Sequence, residues 1–318
     1  MTAADHEIAP ESRSPLQLAM RRFRKNARAL ICLILLALTG AATLAVPWIS
    51  RHDYRFQDLD NAYRAPGPGE RAKVDESGLA VYDENGEVVK EKVYYVMGTD
   101  GNGRDLMARV FMGGRISFAV GILATFVSVL VGICYGATSA FLGGRTDTLL
   151  MRIVDVMYGL PHMMVVIIVM TFAGRSFVVV FLVLGFFGWL TMARIVRGQI
   201  LSLKEREFVE AARALGTGAA SIIFRHLIPN VLGPVIVYTT LSIPAVILQE
   251  SFLSFLGLGI SEPQTSWGVL INEGTVAVNN VKNLSWLVAF PGACLAITLF
   301  CLNSVGDGLR DAFDVQQR

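Results

Sequence analysis

Residues 207–230 read EFVEAARALGTGAASIIFRHLIPN, and this polar stretch lies between two long apolar segments. Residues 205–215 are mostly good helix formers, and Gly216 stands where a helix C-terminal cap needs glycine. A second short helix can begin near Ser221 and end before Pro229. The stretch therefore predicts two short helices joined by a turn across one face of a membrane, with alanines that let another protein pack closely.

The composition places the chain in the membrane class. Of its 318 residues 53% are hydrophobic and 17% are charged, whereas soluble domains are about 25% charged. A spanning helix needs about 20 mostly apolar residues. Windows without a charged residue run over 29–50, 116–144, 156–174, 176–193, 226–249 and 283–306. We therefore predict an all-α membrane protein with six transmembrane helices, the first of them a retained signal anchor.

The distribution of Lys and Arg predicts the orientation. Sixteen of them fall in the two tails and in the loops after the second and fourth spans, whereas the two shorter loops opposite carry only Arg175 and Lys282. Both termini are therefore expected to be cytoplasmic. The predicted organisation is a cytoplasmic tail with the first transmembrane anchor helix (1–50), an extracytoplasmic loop (51–114), a core of five transmembrane helices with a cytoplasmic loop at 194–230 (115–307), and a cytoplasmic tail (308–318).

The extracytoplasmic loop predicts a small β-hairpin insert over residues 79–96, since Asn85-Gly86 separates two runs of β-forming residues. Residues 66–69 read as a flexible stretch before it. The insert is either a structural element at the membrane rim or a contact for another protein. Further on, Asp100, Asn102 and Asp105 lack the acids and the distal Glu of a calcium loop, so we expect a glycine-rich turn that caps the next helix.

Three residues inside or beside the spans are candidates for a pathway or a gate. Pro161 can kink a membrane helix, and His162 follows it, facing either a pathway or a packed interface. Glu250 is an ionisable residue near membrane depth, which is a functional hypothesis by default.

Two further segments carry structural expectations. Asp147, Arg152 and Asp155 mark a helix end at the membrane interface, where Arg152 and Asp155 are spaced to pair with each other; a gate or an ion pair between subunits is the alternative. Residues 266–280 are too short to span and are expected to lie along the outer face, with Trp267 as an interfacial anchor.

Several segments together resemble the C-type permease subunit of dipeptide/oligopeptide-type ABC importers. They are MGTDGNGRDLMARVFMGGRISFAVGILATFVSVLVG (97–132), FLGGRTDTLLMRIVDVMYGLP (141–161), ESFLSFLGLGISEPQTSWG (250–268), and an EAA-type pattern of Glu210-Ala211-Ala212, Gly216 and Ile228-Pro229. The resemblance runs from the first span to about Asp311. In two places the chain departs from the family's pattern: Ile-Pro stands where Leu-Pro is commoner, and the insert around 70–95 lies outside the family's core.

The resemblance implies a type I ABC importer permease fold in a bacterial inner membrane. It implies partners as well: a homologous second permease, two cytoplasmic ATPases that hold ATP and Mg, and an extracytoplasmic substrate-binding protein. The resemblance also implies that the EAA-type loop docks on the ATPase. The residues concerned are Glu207, Glu210, Ala211, Ala212, Gly216 and Pro229. The implied cargo is di- or oligopeptide; a nickel chelate, an opine, glutathione or an oligosaccharide stays open.

Other classes of protein lack their sequence signals. The chain has no GxxxxGK[ST] phosphate loop, so it is expected to bind no cofactor itself. The spans hold no clustered His, Asp or Glu for a membrane enzyme or a metal, so no catalytic residue is predicted. An ion-coupled transporter would need a chain of ionisable residues at mid-membrane, and the predicted spans are nearly free of charge, which argues against this class. Nucleic acid is excluded as a partner by the lack of a basic patch with interleaved aromatics.

Overall fold

The computed structural model describes residues 15–49, 53–73, 75, 81–83, 85–278 and 283–313. The outer parts of both predicted tails, 1–14 and 314–318, lie outside these residues. The helices are α1 (Pro15–Phe23), α2 (Ala27–Ile49), α3 (Leu106–Leu142), α4 (Gly144–Gly159), α5 (His162–Ala173), α6 (Phe177–Leu203), α7 (Glu207–Ala214), α8 (Ala219–Phe255), α9 (Trp267–Ala277) and α10 (Trp286–Phe313), and the strands are β1 (Gly67–Ala72) and β2 (Lys90–Tyr95).

The predicted all-α membrane architecture is confirmed. Among the described residues five helices, α2, α3, α6, α8 and α10, are long and apolar enough to cross a membrane, and α4 with α5 makes a sixth if the bent pair is one span. The third predicted span, 156–174, is broken within its window at the kink that Pro161 was expected to allow, and α4 and α5 meet at 78°. Pro161 disfavours helical backbone at Leu160, which is extended at φ −80° and ψ 137°.

Helices α3 and α6 form the centre of the bundle and approach closely because glycines face the contact. A Cβ on Gly136 would lie 2.4 Å from the carbonyl oxygen of Ala193, and one on Gly132 would lie 2.5 Å from the Cβ of Met192. Small residues spaced four apart allow this approach in membranes, where packing rather than hydrophobicity drives helix association. The Ser128 hydroxyl adds a hydrogen bond of 3.0 Å to the Gly185 carbonyl.

The predicted hairpin over 79–96 is partly wrong. Strand β2 pairs antiparallel with β1, from Gly67↔Tyr95 to Ala72↔Lys90, and β1 lies in the glycine-rich segment expected to be flexible. The Asn-Gly turn is present only within a smaller bridge, Tyr82↔Val88; residues 79, 80 and 84 lie outside the described part. A Cβ on Gly69 would stand 2.8 Å from the Tyr95 ring, so the glycine makes room for this buried aromatic side chain.

The predicted helix end before Pro229 is also wrong, because α8 runs through this proline without a break. A π-helical turn at Ile222–Leu227 comes first, and the Ile228 N–H bonds to the carbonyl of Ile223. Such a turn bonds residues five apart and widens the backbone, so Pro229 enters the helix near its widened start. The second half of the polar loop is therefore the beginning of a long membrane helix.

Helix α9 is the short segment predicted near residues 266–280, but Trp267 is not an interfacial anchor. Its side chain is buried, its ring meets Phe118 edge-on at 5.6 Å between centroids, and its Nε1 donates to the Val110 carbonyl at 3.0 Å. The indole finds its partner inside the bundle because Gly114 leaves space for it: a Cβ there would lie 2.8 Å from the ring. The glycine-rich turn before α3 is confirmed, since Asp105 accepts from the Met107 N–H at 3.0 Å.

Candidate functional site

The connection between α6 and α8 is a short helix with one face fixed to the bundle. Val209 and Ala212 of α7 are buried in a cluster that includes Ile200 of α6 and Ile222 and Leu227 of α8. The helix ends in a glycine cap: the Gly216 N–H bonds to the Arg213 carbonyl and the Thr217 N–H to that of Ala212, and Gly216 has φ +74°. These two bonds form the Schellman motif, so both the turn and its orientation are specified.

Most of the residues predicted for docking lie on the exposed side of this connection. Glu207, Glu210, Ala211, Gly216 and Pro229 are exposed, whereas Ala212 is buried. The two carboxylates stand in the first turn of α7, where negative charge is favoured by the helix dipole. The sequence predicted this helix, but it did not separate the outward residues from the inward alanine.

Three large apolar side chains complete the exposed surface, which we call the loop surface: Phe208, Leu215 and Phe224. They are 42%, 86% and 65% exposed. Arg213 and Arg225 are exposed beside them in the sequence. Apolar groups on a polar connection, together with a buried opposite face, are typical of a surface that another protein covers.

Helix α6, which leads into α7, is tied to α4 by four side-chain contacts, which we call the α4–α6 ladder. Arg197 donates to both carboxylate oxygens of Asp147 at 2.6 and 2.5 Å. One turn earlier, Arg194 donates to Asp155 at 2.6 Å, so Asp155 pairs across to α6 and the expected pairing with Arg152 is wrong. The guanidinium of Arg194 also lies 4.0 Å from the centre of the Tyr158 ring.

The last contact of the ladder, between the Tyr158 and Thr191 hydroxyls, stands at the wall of a cavity. The cavity has a volume of about 230 Å³ and lies between α3, α6 and α8 at the α4–α5 break. His162 lines it, with its ring 6.3 Å from that of Phe187. Pro161 forms the break beside the cavity without lining it. The α4–α6 ladder thus runs from the helix before the loop surface to the cavity wall.

Glu250, the third pathway candidate, is fully buried inside the bundle. Its carboxylate accepts from the hydroxyls of Ser254 at 2.7 Å and Ser117 at 3.2 Å. The Ser254 hydroxyl in turn lies 3.3 Å from that of Ser266, next to the start of α9. The carboxylate therefore joins α3, α8 and the start of α9, and Glu250 is not among the residues that line the cavity between α3, α6 and α8.

At the end of α3 that follows the strands, five charged residues form a cluster that the sequence analysis missed. Arg109, which is 1% exposed, donates to Glu273 of α9 at 2.5 and 3.0 Å and to Asp100 at 2.5 Å. Arg104 pairs with Asp100 at 2.7 Å and with Glu262 at 2.9 Å. Burial opposes the charge on Arg104, yet the Asp100 carboxylate raises the pKa of this guanidinium above its ordinary value. The partners lie up to 164 residues apart.

A signal for this cluster was present in the sequence. Arg109 stands near the start of a long apolar segment, and a charge that enters a membrane helix needs a partner. The sequence alone could not choose that partner among the acids of distant loops. Among the described residues no group of three or more His, Cys, Asp or Glu side chains is placed to hold a metal ion.

Comparison with known families gives two matches along the chain. The family described as "Binding-protein-dependent transport system inner membrane component" matches residues 128–318. The family described as "N-terminal TM domain of oligopeptide transport permease C" matches residues 14–66.

Individual proteins are similar over nearly the whole chain. The oligopeptide transport system permease protein OppC of Haemophilus influenzae is 43% identical over 312 residues, which cover 98% of this chain and 92% of that protein. Its Escherichia coli K12 counterpart is 44% identical over 98% of this chain and 95% of its own. The dipeptide transport system permease protein DppC of Bacillus subtilis is 37% identical, over 96% and 88%. Among solved structures, a chain of the inward-facing MetNI methionine ABC transporter matches with a TM-score of 0.54 at 16% identity, over 65% of this chain and 97% of that one.

Proposed function

Because this chain belongs to the family of binding-protein-dependent transport system inner membrane components and has the type I importer permease fold, we propose that it is a permease subunit of an ATP-driven importer of di- and oligopeptides. The family and the fold are those that the sequence motifs predict. The cargo rests on relatives that are named oligopeptide and dipeptide permeases and that match over nearly the full chain. The subunit resides in a bacterial inner membrane as a multi-pass protein.

The loop surface is the proposed dock for a cytoplasmic ATPase subunit. The observation that carries this is the two-sided character of the connection between α6 and α8: Val209 and Ala212 are buried in the bundle, whereas Phe208, Leu215 and Phe224 are exposed. A partner that grips the exposed side moves α6 and α8 with it. Glu210 offers a charge to a basic residue of the ATPase. ATP and Mg belong to that partner, and this chain contributes no catalytic residue.

Transport itself is proposed to occur between this chain and a homologous second permease. Of the pathway candidates, His162 lines the cavity and Pro161 forms the break beside it. We assign Pro161 the role of a hinge between α4 and α5. Glu250 lies inside the bundle, so its proposed effect on gating passes through the three segments that it joins.

The orientation follows from docking. With α7 on the cytoplasmic side, both termini are cytoplasmic and the sheet and the charged cluster lie outside, where a substrate-binding protein arrives. The N-terminal helix α2 then serves as the anchor that precedes the core. Its contacts with the bundle include the packing of Cys32 against Cys301 and Val305 of α10.

Purification from the native membrane in mild detergent tests the assignment. The tagged chain is expected to bring down a second six-span permease and ATPase subunits, identified by mass spectrometry. Recovery alone or as a homo-oligomer at good yield would contradict the ATP-driven importer, and ion-coupled transport would then be assayed. A ligand screen on the binding protein identifies the cargo.

Coupling through the loop is tested separately by Gly216→Pro. Proline fixes φ near −65°, which is incompatible with the φ of +74° at this position, so the glycine cap and the direction of α7 are lost. Uptake is expected to fall to background while the chain still inserts and assembles with the second permease. Unchanged uptake in this variant would contradict docking through the loop.

A further inference from the structure

The cavity between α3, α6 and α8 is lined by apolar and neutral polar side chains among the described residues. None of the described residues that line it is Asp, Glu, Lys or Arg. Its polar lining comes from hydroxyl, carboxamide and imidazole side chains, among them Thr125 of α3, His162 of α5, and Tyr238 and Gln249 of α8. A wall of this kind suits a ligand with neutral hydrogen-bonding groups.

Thr125 is the residue that points to a ligand. Its hydroxyl is buried, with the residue 2% exposed, and it has no hydrogen-bond partner among the described residues. Other hydroxyls in these helices bond back to a carbonyl four residues earlier: Thr240 to Ile236 at 2.9 Å, and Ser128 to Ala124 at 2.9 Å. A buried polar group left unpaired costs free energy, so the Thr125 hydroxyl needs a partner that the described residues do not supply.

Gln249 and Tyr238 present further free groups to the same space. Neither the Gln249 carboxamide nor the Tyr238 hydroxyl makes a hydrogen bond within the part of the chain that the structure describes. The carboxamide has two donors and an accepting oxygen, which is the complement of a main-chain N–H and C=O pair. The free groups of this wall therefore match a peptide backbone in chemistry.

The volume of the cavity is that expected for one part of a larger binding site. Its volume of about 230 Å³ is below the roughly 300–1,000 Å³ of typical ligand pockets. The rest of the enclosure would come from the second permease on the open side. The charged ends of a peptide find no counter-charge on this wall, so recognition here is limited to the neutral main chain.

We propose that this cavity is a membrane-level subsite that binds the main-chain amides of a peptide in transit, through Thr125 and Gln249. The inference rests on the proposed function and deepens it. Such a subsite makes transport through the membrane depend on the amide groups of the peptide and not on its charge. Uptake of peptides with varied side chains is the expected consequence, with the separate binding protein left to choose among them.

The test uses the complete importer reconstituted in vesicles, with trialanine and its backbone N-methylated analogue as probes. Each probe is loaded to saturation on the binding protein before uptake is measured. Thr125→Val and Gln249→Leu remove the two proposed contacts at nearly constant volume. Thr240→Val is the matched control, because this threonine lies on α8, does not line the cavity and already bonds to Ile236.

The wild-type importer is expected to take up trialanine faster than the methylated analogue. The ratio of the two rates should fall about two- to tenfold in each cavity variant, as the loss of one hydrogen bond predicts, and stay constant in the control. An unchanged ratio in both cavity variants overturns the subsite. Failure of the wild-type complex to take up trialanine at all overturns the proposed function instead.

A second measurement keeps the test independent of variant folding. A trialanine analogue with a benzophenone group is trapped in the wild-type complex with a non-hydrolysable ATP analogue and irradiated. Cross-links to the segments around Thr125 or Gln249 support the subsite. Cross-links confined to other segments of either permease overturn it.

Discussion

Replacing Arg109 with methionine tests whether the outer charged cluster holds α9 onto α3. The substitution removes three hydrogen bonds, two to Glu273 and one to Asp100, and keeps most of the side-chain volume. Arg109 is 1% exposed, so solvent cannot replace these bonds without opening the contact. The prediction concerns the free energy of unfolding of the chain within its complex.

The expected size follows from the exposure of each partner. Removal of one member of a buried ion pair costs about 3–5 kcal/mol. The low end applies here, because the Glu273 side chain is 33% exposed and Asp100 keeps its pair with Arg104. A loss of about 3 kcal/mol lowers the Tm of a chain of this size by roughly 5 °C.

The assay is thermal unfolding of the detergent-solubilised complex, together with amide hydrogen exchange. Exchange should increase in α9, which Arg109 holds, and stay constant in α7 at the other end of the bundle. Arg115→Met is the matched control, because Arg115 lies on the same helix and forms no ion pair among the described residues. The control is expected to shift the Tm by 1 °C or less.

A double variant sharpens the result. Arg109→Met combined with Glu273→Leu replaces the pair by apolar side chains, a change that is often neutral when both partners go together. The double variant should therefore be more stable than Arg109→Met alone. A Tm for Arg109→Met within 1 °C of the wild type, or a double variant less stable than the single one, would refute the reasoning.

Two further predictions concern the core and the ladder. Gly136→Ala places a Cβ 2.4 Å from a backbone oxygen of α6 and should destabilise the chain by about 1–3 kcal/mol. The control, Gly198→Ala, should be neutral or stabilising, because a Cβ at this position meets nothing within 4 Å. Equal Tm values for the two variants would contradict the close α3–α6 contact. Arg194→Gln should lower peptide uptake per ATP hydrolysed by the reconstituted complex, with a stability change within about 1 kcal/mol. The control, Arg152→Gln on α4, should leave both the uptake per ATP and the stability unchanged. An equal loss of uptake in the two variants would count against transmission through the α4–α6 ladder.

The helical framework could be predicted from the sequence because its signals are local. Charge-free windows located the spans, and Gly216 located the end of α7, since a helix that ends in the Schellman motif requires a residue with positive φ. The same local reasoning failed at Pro229. A proline usually predicts a helix boundary, but the widened turn ahead of Pro229 lets α8 continue, and the two ends of that turn, Ile222 and Leu227, are buried in the core.

The parts of the candidate site that escaped the sequence all depend on pairing between distant segments. Asp155 has a basic residue three positions away in Arg152, yet it bonds to Arg194 of α6. Asp100 was identified only as a turn residue, and its ion pairs with two arginines follow from where α3 begins. Trp267 was assigned to the membrane interface by its residue type, whereas its indole is buried inside the helix bundle, where Gly114 leaves room for it. A local sequence pattern indicates which types of contact a residue can make, but it does not identify the distant residue with which the contact is made.

The π-helical turn at Ile222–Leu227 also sets the angular phase of everything beyond it in α8. Bonding five residues apart instead of four inserts one extra residue into a turn, which is about 100° of rotation in a helix with 3.6 residues per turn. Tyr238, Ser242 and Gln249, which line the cavity, all lie beyond this turn. Deleting one residue from the turn would leave the length and composition of the span almost unchanged, yet it would rotate the cavity-lining face of α8 relative to the loop surface by more than a quarter of a revolution.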